Sequence, residues 1–249
     1  MTLPTTGPNI AVITCAVLEL EVEHYAQHAP GLVKLVKLEQ GLHNEPDKLR
    51  ARLQEAVTEV EDQCNVDAVV LGYGLCSRGV EGVVTKRCRL VVPRAHDCIT
   101  LLLGSKERYA KYAAENPGTY WYSPGWNKHH IPPGPERYHR LRSKYVAQYG
   151  EDNADFLMES EQHWFQTYER ATYVHLTVGA TAEDKDYTRR CADWLKWQYD
   201  EQQGDPRLIH ELLRGPWNAD DFLVLEPGQT LRMTADERVI EAVPAHGGA

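Results

Sequence analysis

Three consecutive residues, His96-Asp97-Cys98, set an imidazole, a carboxylate and a thiol side by side at what reads as a strand-to-helix junction. Packing gives no reason for three reactive types in a row, and such groups gather where chemistry is done. Upstream, Cys76 follows Gly72-Tyr73-Gly74-Leu75 and precedes Ser77-Arg78-Gly79. Glycines on both sides permit the tight, strained backbone on which functional side chains are often presented. Thiolates and imidazoles suit zinc, and three protein ligands with one open position make a catalytic rather than a closed structural site. Cys76, His96 and Cys98 form such a set, with Cys15 or His43 as a fourth ligand or a supporting group. The open position would bind and deprotonate a substrate thiol or a water. Iron, or an iron–sulfur cluster on Cys15, Cys76 and Cys98, draws on the same donors. No C-x-x-C occurs among the six cysteines, which leaves zinc ribbons, thioredoxin-like motifs and common ferredoxin patterns without support.

A metal-free reading competes. Cys98 would lie in the first turn of a helix, where free N–H groups lower a thiol's pKa, with His96 as base and Asp97 orienting it. Arg78 stands where a nucleophile elbow around Cys76 needs its second glycine, and Gly72-x-Gly74-x-x-Ser77 is only a near miss to a dinucleotide fingerprint. The bland readings stand beside these. A strand-end cysteine such as Cys15 is often a small buried hydrophobe, and His43 suits a loop hydrogen bond as well as ligation. Cys64, Cys88 and Cys191 read as core or incidental thiols. His129-His130 would be a lid or a solvated pair, and Arg137, Arg140, Arg142 and Lys144 a solvated helix face.

These residues must be positioned by strands and helices. Ile10–Cys15, Leu32–Leu38, 67–72 and Arg89–Pro93 read as strands, the first, third and fourth of them buried runs. Helices are expected at 19–27 and from Pro46, where Leu49, Leu53, Ala56, Val57 and Val60 recur at helical spacing. Asp97 would cap a third helix carrying Ile99, Leu102 and Leu103 and continuing to Tyr109 and Tyr112. Residues 116–135 concentrate Pro, Gly and aromatics, as a linker between lobes or an aromatic loop over a site. Helices at 136–149, 153–168, 183–203 and 205–213, strands at 171–178 and Phe222–Leu225, and a hairpin of 231–233 with 239–243 follow. The pattern is an α/β fold with a mostly parallel, Rossmann-like sheet, helices on both faces and a C-terminal hairpin. It divides at 1–115 and 116–249, as two lobes or one continuous domain. In open α/β sheets ligands bind at the carboxyl ends of strands, so Cys15, His43, Cys76, His96 and Cys98 are expected in one crevice.

With 27 Lys+Arg against 36 Asp+Glu the chain carries a formal charge of −9, which argues against a general nucleic-acid binder. No apolar run approaches the roughly 20 residues of a membrane helix, and residues 1–9 lack a signal-peptide plan. The expectation is a cytoplasmic protein acting on a small-molecule substrate.

At Cys15, Leu42-His43-Asn44, Leu71-Gly72-Tyr73-Gly74-Leu75-Cys76, and Pro93-Arg94-Ala95-His96-Asp97-Cys98 with Leu101-Leu102-Leu103-Gly104-Ser105, the sequence resembles an uncharacterised bacterial and archaeal family, the domain-of-unknown-function family 1638. Gly118-Thr119-Tyr120 and Gly125-Trp126 resemble its later motif. The resemblance implies a link to corrinoid-dependent methyl transfer and a corrinoid protein as partner. His96-x-Cys98 with a distant cysteine is also similar to the zinc set of thiol methyltransferases, with the distant Cys76 here coming first. The expected function is therefore a zinc-dependent enzyme that activates a thiol or acts on a methylated substrate, with Asp97, Tyr73 and His43 assisting. The alternatives are a metal- or corrinoid-handling accessory protein and a metal-free Cys/His hydrolase.

Overall fold

Three short apolar runs form the heart of a five-stranded sheet, described in a computed structural model covering residues 7–245. His246 and the first six residues, most of the segment read for a signal peptide, lie outside the described residues. Every residue of β1 (Ile10–Cys15) and β3 (Ala68–Gly72) is buried, as are four of the five in β4 (Arg89–Pro93). Strands covered on both faces read as continuous hydrophobic runs, which is why they are plain in the sequence. β2 (Leu32–Leu38) is half-exposed at one edge, and β8 (Phe222–Leu225) closes the other edge antiparallel to β4. The order is β2-β1-β3-β4-β8, with the first four strands parallel.

α1 (Glu19–Ala26) follows β1, and α2 (Pro46–Gln63) follows β2. Pro46 occupies the first turn of α2, and Leu49, Leu53, Ala56, Val57 and Val60 form its buried face, as their spacing predicts. One carboxylate shares that buried surface: Glu61 accepts from the backbone N–H groups of Lys86 (2.9 Å) and Arg87 (2.6 Å) and so fixes the approach to β4.

The helix expected from Asp97 through Tyr112 is instead two helices, α3 (Cys98–Leu103) and α4 (Lys106–Glu115). Gly104 separates them in a left-handed conformation (φ 74°), and a Cβ there would lie 2.6 Å from the carbonyl oxygen of Asp205. Residues 116–135 are neither plain linker nor loop. They contain β5 (Thr119–Tyr122) and α5 (Pro124–His129), whose N-cap Ser123 accepts from the Trp126 N–H at 3.1 Å. α6 (Pro135–Tyr149) and α7 (Glu151–Gln162) lead to β6 (Arg170–His175). The helix expected over 183–203 stops early. α8 (Ala182–Leu195) ends where Lys196 turns left-handed (φ 61°), and Gln198–Gln203 is a strand, β7. β5, β6 and β7 form a parallel sheet on which Tyr122, Tyr173 and Cys191 are buried together. α9 (Arg207–Arg214) precedes β8, and β9 (Gln229–Met233) pairs antiparallel with β10 (Ile240–Pro244) as the terminal hairpin.

The chain divides into two compact units, Met1–Tyr109 with Gly204–Ala249, and Ala110–Gln203. The last segment thus belongs with the first unit, which differs from a division at residue 115 into two consecutive halves. Among the described residues no helix is long and apolar enough to cross a membrane.

Candidate functional site

In the order β2-β1-β3-β4 the chain leaves β1 toward one side and returns past it to β3, so a topological switch lies between β1 and β3. Ligand crevices of open sheets form at the carboxyl ends beside such a switch. Thr14 and Gly72 are register partners there, and the Thr14 hydroxyl donates to the Gly72 carbonyl at 3.2 Å. Cys15 and Tyr73, one residue further on each strand, therefore emerge side by side. The loop after β3 is then stitched to the loop after β4: Leu75 N–H donates to the Ala95 carbonyl (2.8 Å) and Cys76 N–H to that of His96 (3.1 Å). Gly74 makes this approach possible, because a Cβ there would lie 2.5 Å from the Asp97 Cα and 2.6 Å from its N. The segment carrying Cys76 consequently runs beside the one carrying Cys98.

Immediately afterwards Cys76, Ser77 and Arg78 all adopt left-handed backbone, with φ of 45°, 55° and 69°. For residues other than glycine this costs about 1–2 kcal/mol each, and strain of this kind collects at functional sites. Several contacts hold the turn. The Cys76 carbonyl accepts from Gly79 N–H at 3.0 Å, Arg50 of α2 donates to the Arg78 carbonyl at 3.4 Å, and Arg78 Nε donates to Glu81 at 2.8 Å.

The three thiols at these strand ends act on one another. Burial pushes Cys15, Cys76 and Cys98 above the usual thiol range. For both Cys76 and Cys98 the next cause is repulsion by Cys15, followed by Asp97, and Cys76 acts on Cys98 as well. Cys15 is buried, whereas Cys76 and Cys98 are partly exposed. Tyr73 is 2% exposed. Its hydroxyl lies against the Cys15 thiol, where it favours the ionised sulfur, and makes no hydrogen bond of ordinary geometry.

Asp97 is the N-cap of α3. Its Oδ1 accepts from the N–H groups of Ile99 (3.0 Å) and Thr100 (3.3 Å), and its Oδ2 accepts from the Tyr109 hydroxyl at 2.8 Å. Burial raises its pKa against those three donors. His96 is exposed, with its ring centroid 6.4 Å from that of Tyr109, and it acts electrostatically on Asp97. His43 is half-buried in a short 3-10 turn after β2, where burial lowers its pKa. The structure therefore brings together the thiols of the expected set Cys76, His96, Cys98 and Cys15, and places His96 with Asp97 and Tyr109. As the side chains stand, no group of three or more His, Cys, Asp or Glu among the described residues is arranged to hold a metal ion.

Tyr109 is a partner that sequence reasoning missed, as is Glu39, which acts electrostatically on Tyr73 from the loop after β2. No local pattern links either residue to the thiols. The remaining cysteines lie elsewhere. Cys88 is buried beside Glu61, its thiol pushed up to about 11 by burial and that carboxylate. Cys191 is buried under the second sheet, and Cys64 follows the last turn of α2.

None of the three crevice thiols has the depressed pKa of an activated nucleophile. In metal-free protein at pH 7, iodoacetamide is expected to modify Cys76 and Cys98 at least about tenfold more slowly than free cysteine. Peptide mapping by mass spectrometry measures this, and a rate equal to that of free cysteine would favour the metal-free nucleophile instead.

A family model described as "Protein of unknown function (DUF1638)" matches residues 37–213. The chain belongs to that family. The DUF1638 match takes in His43, Tyr73, Cys76, His96, Asp97 and Cys98 and begins after Cys15. No curated protein and no solved structure gives a significant match.

Proposed function

We propose that Cys15, Cys76 and Cys98 form a zinc site with an open position, and that the protein uses it to activate a small-molecule thiol or to act on a methylated substrate. One observation carries the reading: the loops after β3 and β4 are bonded together beside the end of β1, and Cys15 acts electrostatically on both Cys76 and Cys98. A cluster of this kind resists ionisation by itself, and a soft dication reverses both the burial penalty and the mutual repulsion. The donor set fits zinc, and equally iron or an iron–sulfur cluster. Bound there, zinc supplies Lewis acidity that lowers the pKa of a substrate thiol.

The residues around it have their own parts. Tyr73 lies against Cys15 and favours its ionised form. Asp97 caps α3 and, held by Tyr109, fixes the first turn on which Cys98 stands. His96 and His43 offer imidazoles in the flanking loops. The sheet is read as Rossmann-like and doubly wound, since right-handed crossovers running in opposite directions from β1 put α1 and α2 on opposite faces. Six unpaired thiols suit the reducing cytoplasm. A corrinoid protein as methyl donor is the partner implied by the family resemblance.

The test uses zinc-loaded protein, methylcobalamin and 2-mercaptoethanol, followed by the loss of methylcobalamin absorbance. Turnover is expected to depend on zinc and to fall at least about 100-fold in Cys76→Ser. Zinc binding without zinc-dependent turnover would overturn the enzyme reading in favour of an accessory role.

A further inference from the structure

The second unit contains a cavity of about 740 Å³ between α5, α6 and α8, within the size range of small-molecule sites. On a chain of net charge −9, Lys128, Arg137, Arg140 and Arg190 line it together with Glu136, Glu183 and Asp184. Two of those carboxylates are already engaged. Asp184 accepts from the Thr181 hydroxyl at 2.8 Å, closing the first turn of α8, and the Tyr187 hydroxyl lies against Glu136. Arg137 reaches Glu161 at 3.3 Å, while its buried Nε makes no hydrogen bond among the described residues. Arg140 and Arg190, both exposed at the cavity wall, form no ion pair among the described residues, although α8, which carries Arg190, also holds Glu183, Asp184, Asp186 and Asp193.

Two guanidiniums without an ion pair on one cavity, one of them 6.0 Å over the Tyr187 ring, and a third left short of one acceptor, leave planar donor forks open. That arrangement matches an oxyanion, which takes parallel N–H bonds from such forks. Ile131, Leu141 and Tyr187 give the same cavity an apolar wall for the remainder of a molecule. The basic stretch after Pro135 is thereby divided: Arg142 pairs with Asp155 on α7, whereas Arg137 and Arg140 turn to the cavity.

We infer that this cavity binds a small molecule through a phosphate or carboxylate group, with Arg140 and Arg190 as the binding residues. The site uses none of the thiols. Isothermal titration of the full chain with inorganic pyrophosphate and, separately, with tricarballylate distinguishes the two oxyanion sources. At least one probe should bind saturably, less tightly as NaCl is raised. Affinity should fall at least about tenfold in Arg140→Ala/Arg190→Ala and also drop in the milder Arg140→Gln, while Arg142→Ala matches the wild type. Circular dichroism checks that each variant is folded. Absence of saturable binding by both probes, or equal affinity in wild type and Arg140→Gln, would overturn the inference.

Discussion

Gly74→Ala is expected to destabilise the protein by about 3 kcal/mol and to separate the thiols. The added Cβ would stand 2.5 Å from the Asp97 Cα, 2.6 Å from its N and 2.7 Å from its carbonyl carbon. Those are backbone atoms, which cannot rotate aside as a flexible side chain can. The two loops must part, and the bonds from Leu75 N–H to Ala95 and from Cys76 N–H to His96 are lost with the approach that made them. Gly41→Ala is the control. Gly41 is left-handed (φ 102°) but has open space around it, so that substitution costs only conformational strain, about 1 kcal/mol. Urea midpoints of the two variants measure the difference. Equal midpoints would contradict the juxtaposition of the loops after β3 and β4.

Glu21→Gln is expected to change how stability depends on pH. Glu21 lies on α1 at 0% exposure, neither carboxylate oxygen makes a hydrogen bond among the described residues, and burial pushes its pKa up from 4.5 to about 7. Tyr25, one turn along the helix, has its own pKa raised by burial and by this carboxylate. The native state therefore keeps a proton that the unfolded chain releases between pH 4.5 and 7. Stability from this group is full below pH 4.5, declines as pH rises toward 7 and is level above. The shift corresponds to about 3 kcal/mol. Glutamine cannot ionise, so the variant should match the wild type at pH 4.5 and exceed it at pH 8 by up to about 3 kcal/mol. Chemical denaturation at both values checks this, and a difference that does not change with pH would contradict it.

The first sheet was legible because strands buried on both faces leave unbroken apolar runs, as at Ile10–Cys15 and Arg89–Pro93, while β propensity marked the half-exposed edge strand Leu32–Leu38; these and Phe222–Leu225 all form as read. The convergence of Cys15, Cys76 and Cys98 followed from that, since parallel strands put their carboxyl ends on one side. Three features left no such trace. β7 is the polar segment QYDEQQ, partly exposed along its length, so nothing apolar marks it as a strand. β5 is hidden among prolines and glycines whose turn signals dominate the reading. The left-handed turn at Cys76-Ser77-Arg78 contains no glycine, and its backbone is imposed by contacts from α2 and the loop after β4. The direction taken by His96 was equally unreadable. Its ring centroid lies 6.4 Å from that of Tyr109, which reaches Asp97 from α4, beyond the break at Gly104.

Cobalt(II) titration of metal-free protein, followed by thiolate-to-metal charge-transfer absorption, tests the thiol crevice most directly. The expected result is saturation at a single equivalent in the wild type and in Cys64→Ser, with the band lost or sharply reduced in Cys15→Ser, Cys76→Ser and Cys98→Ser. Absence of the band in the wild type, or an undiminished band in Cys76→Ser, would contradict a metal centre built on these strand ends.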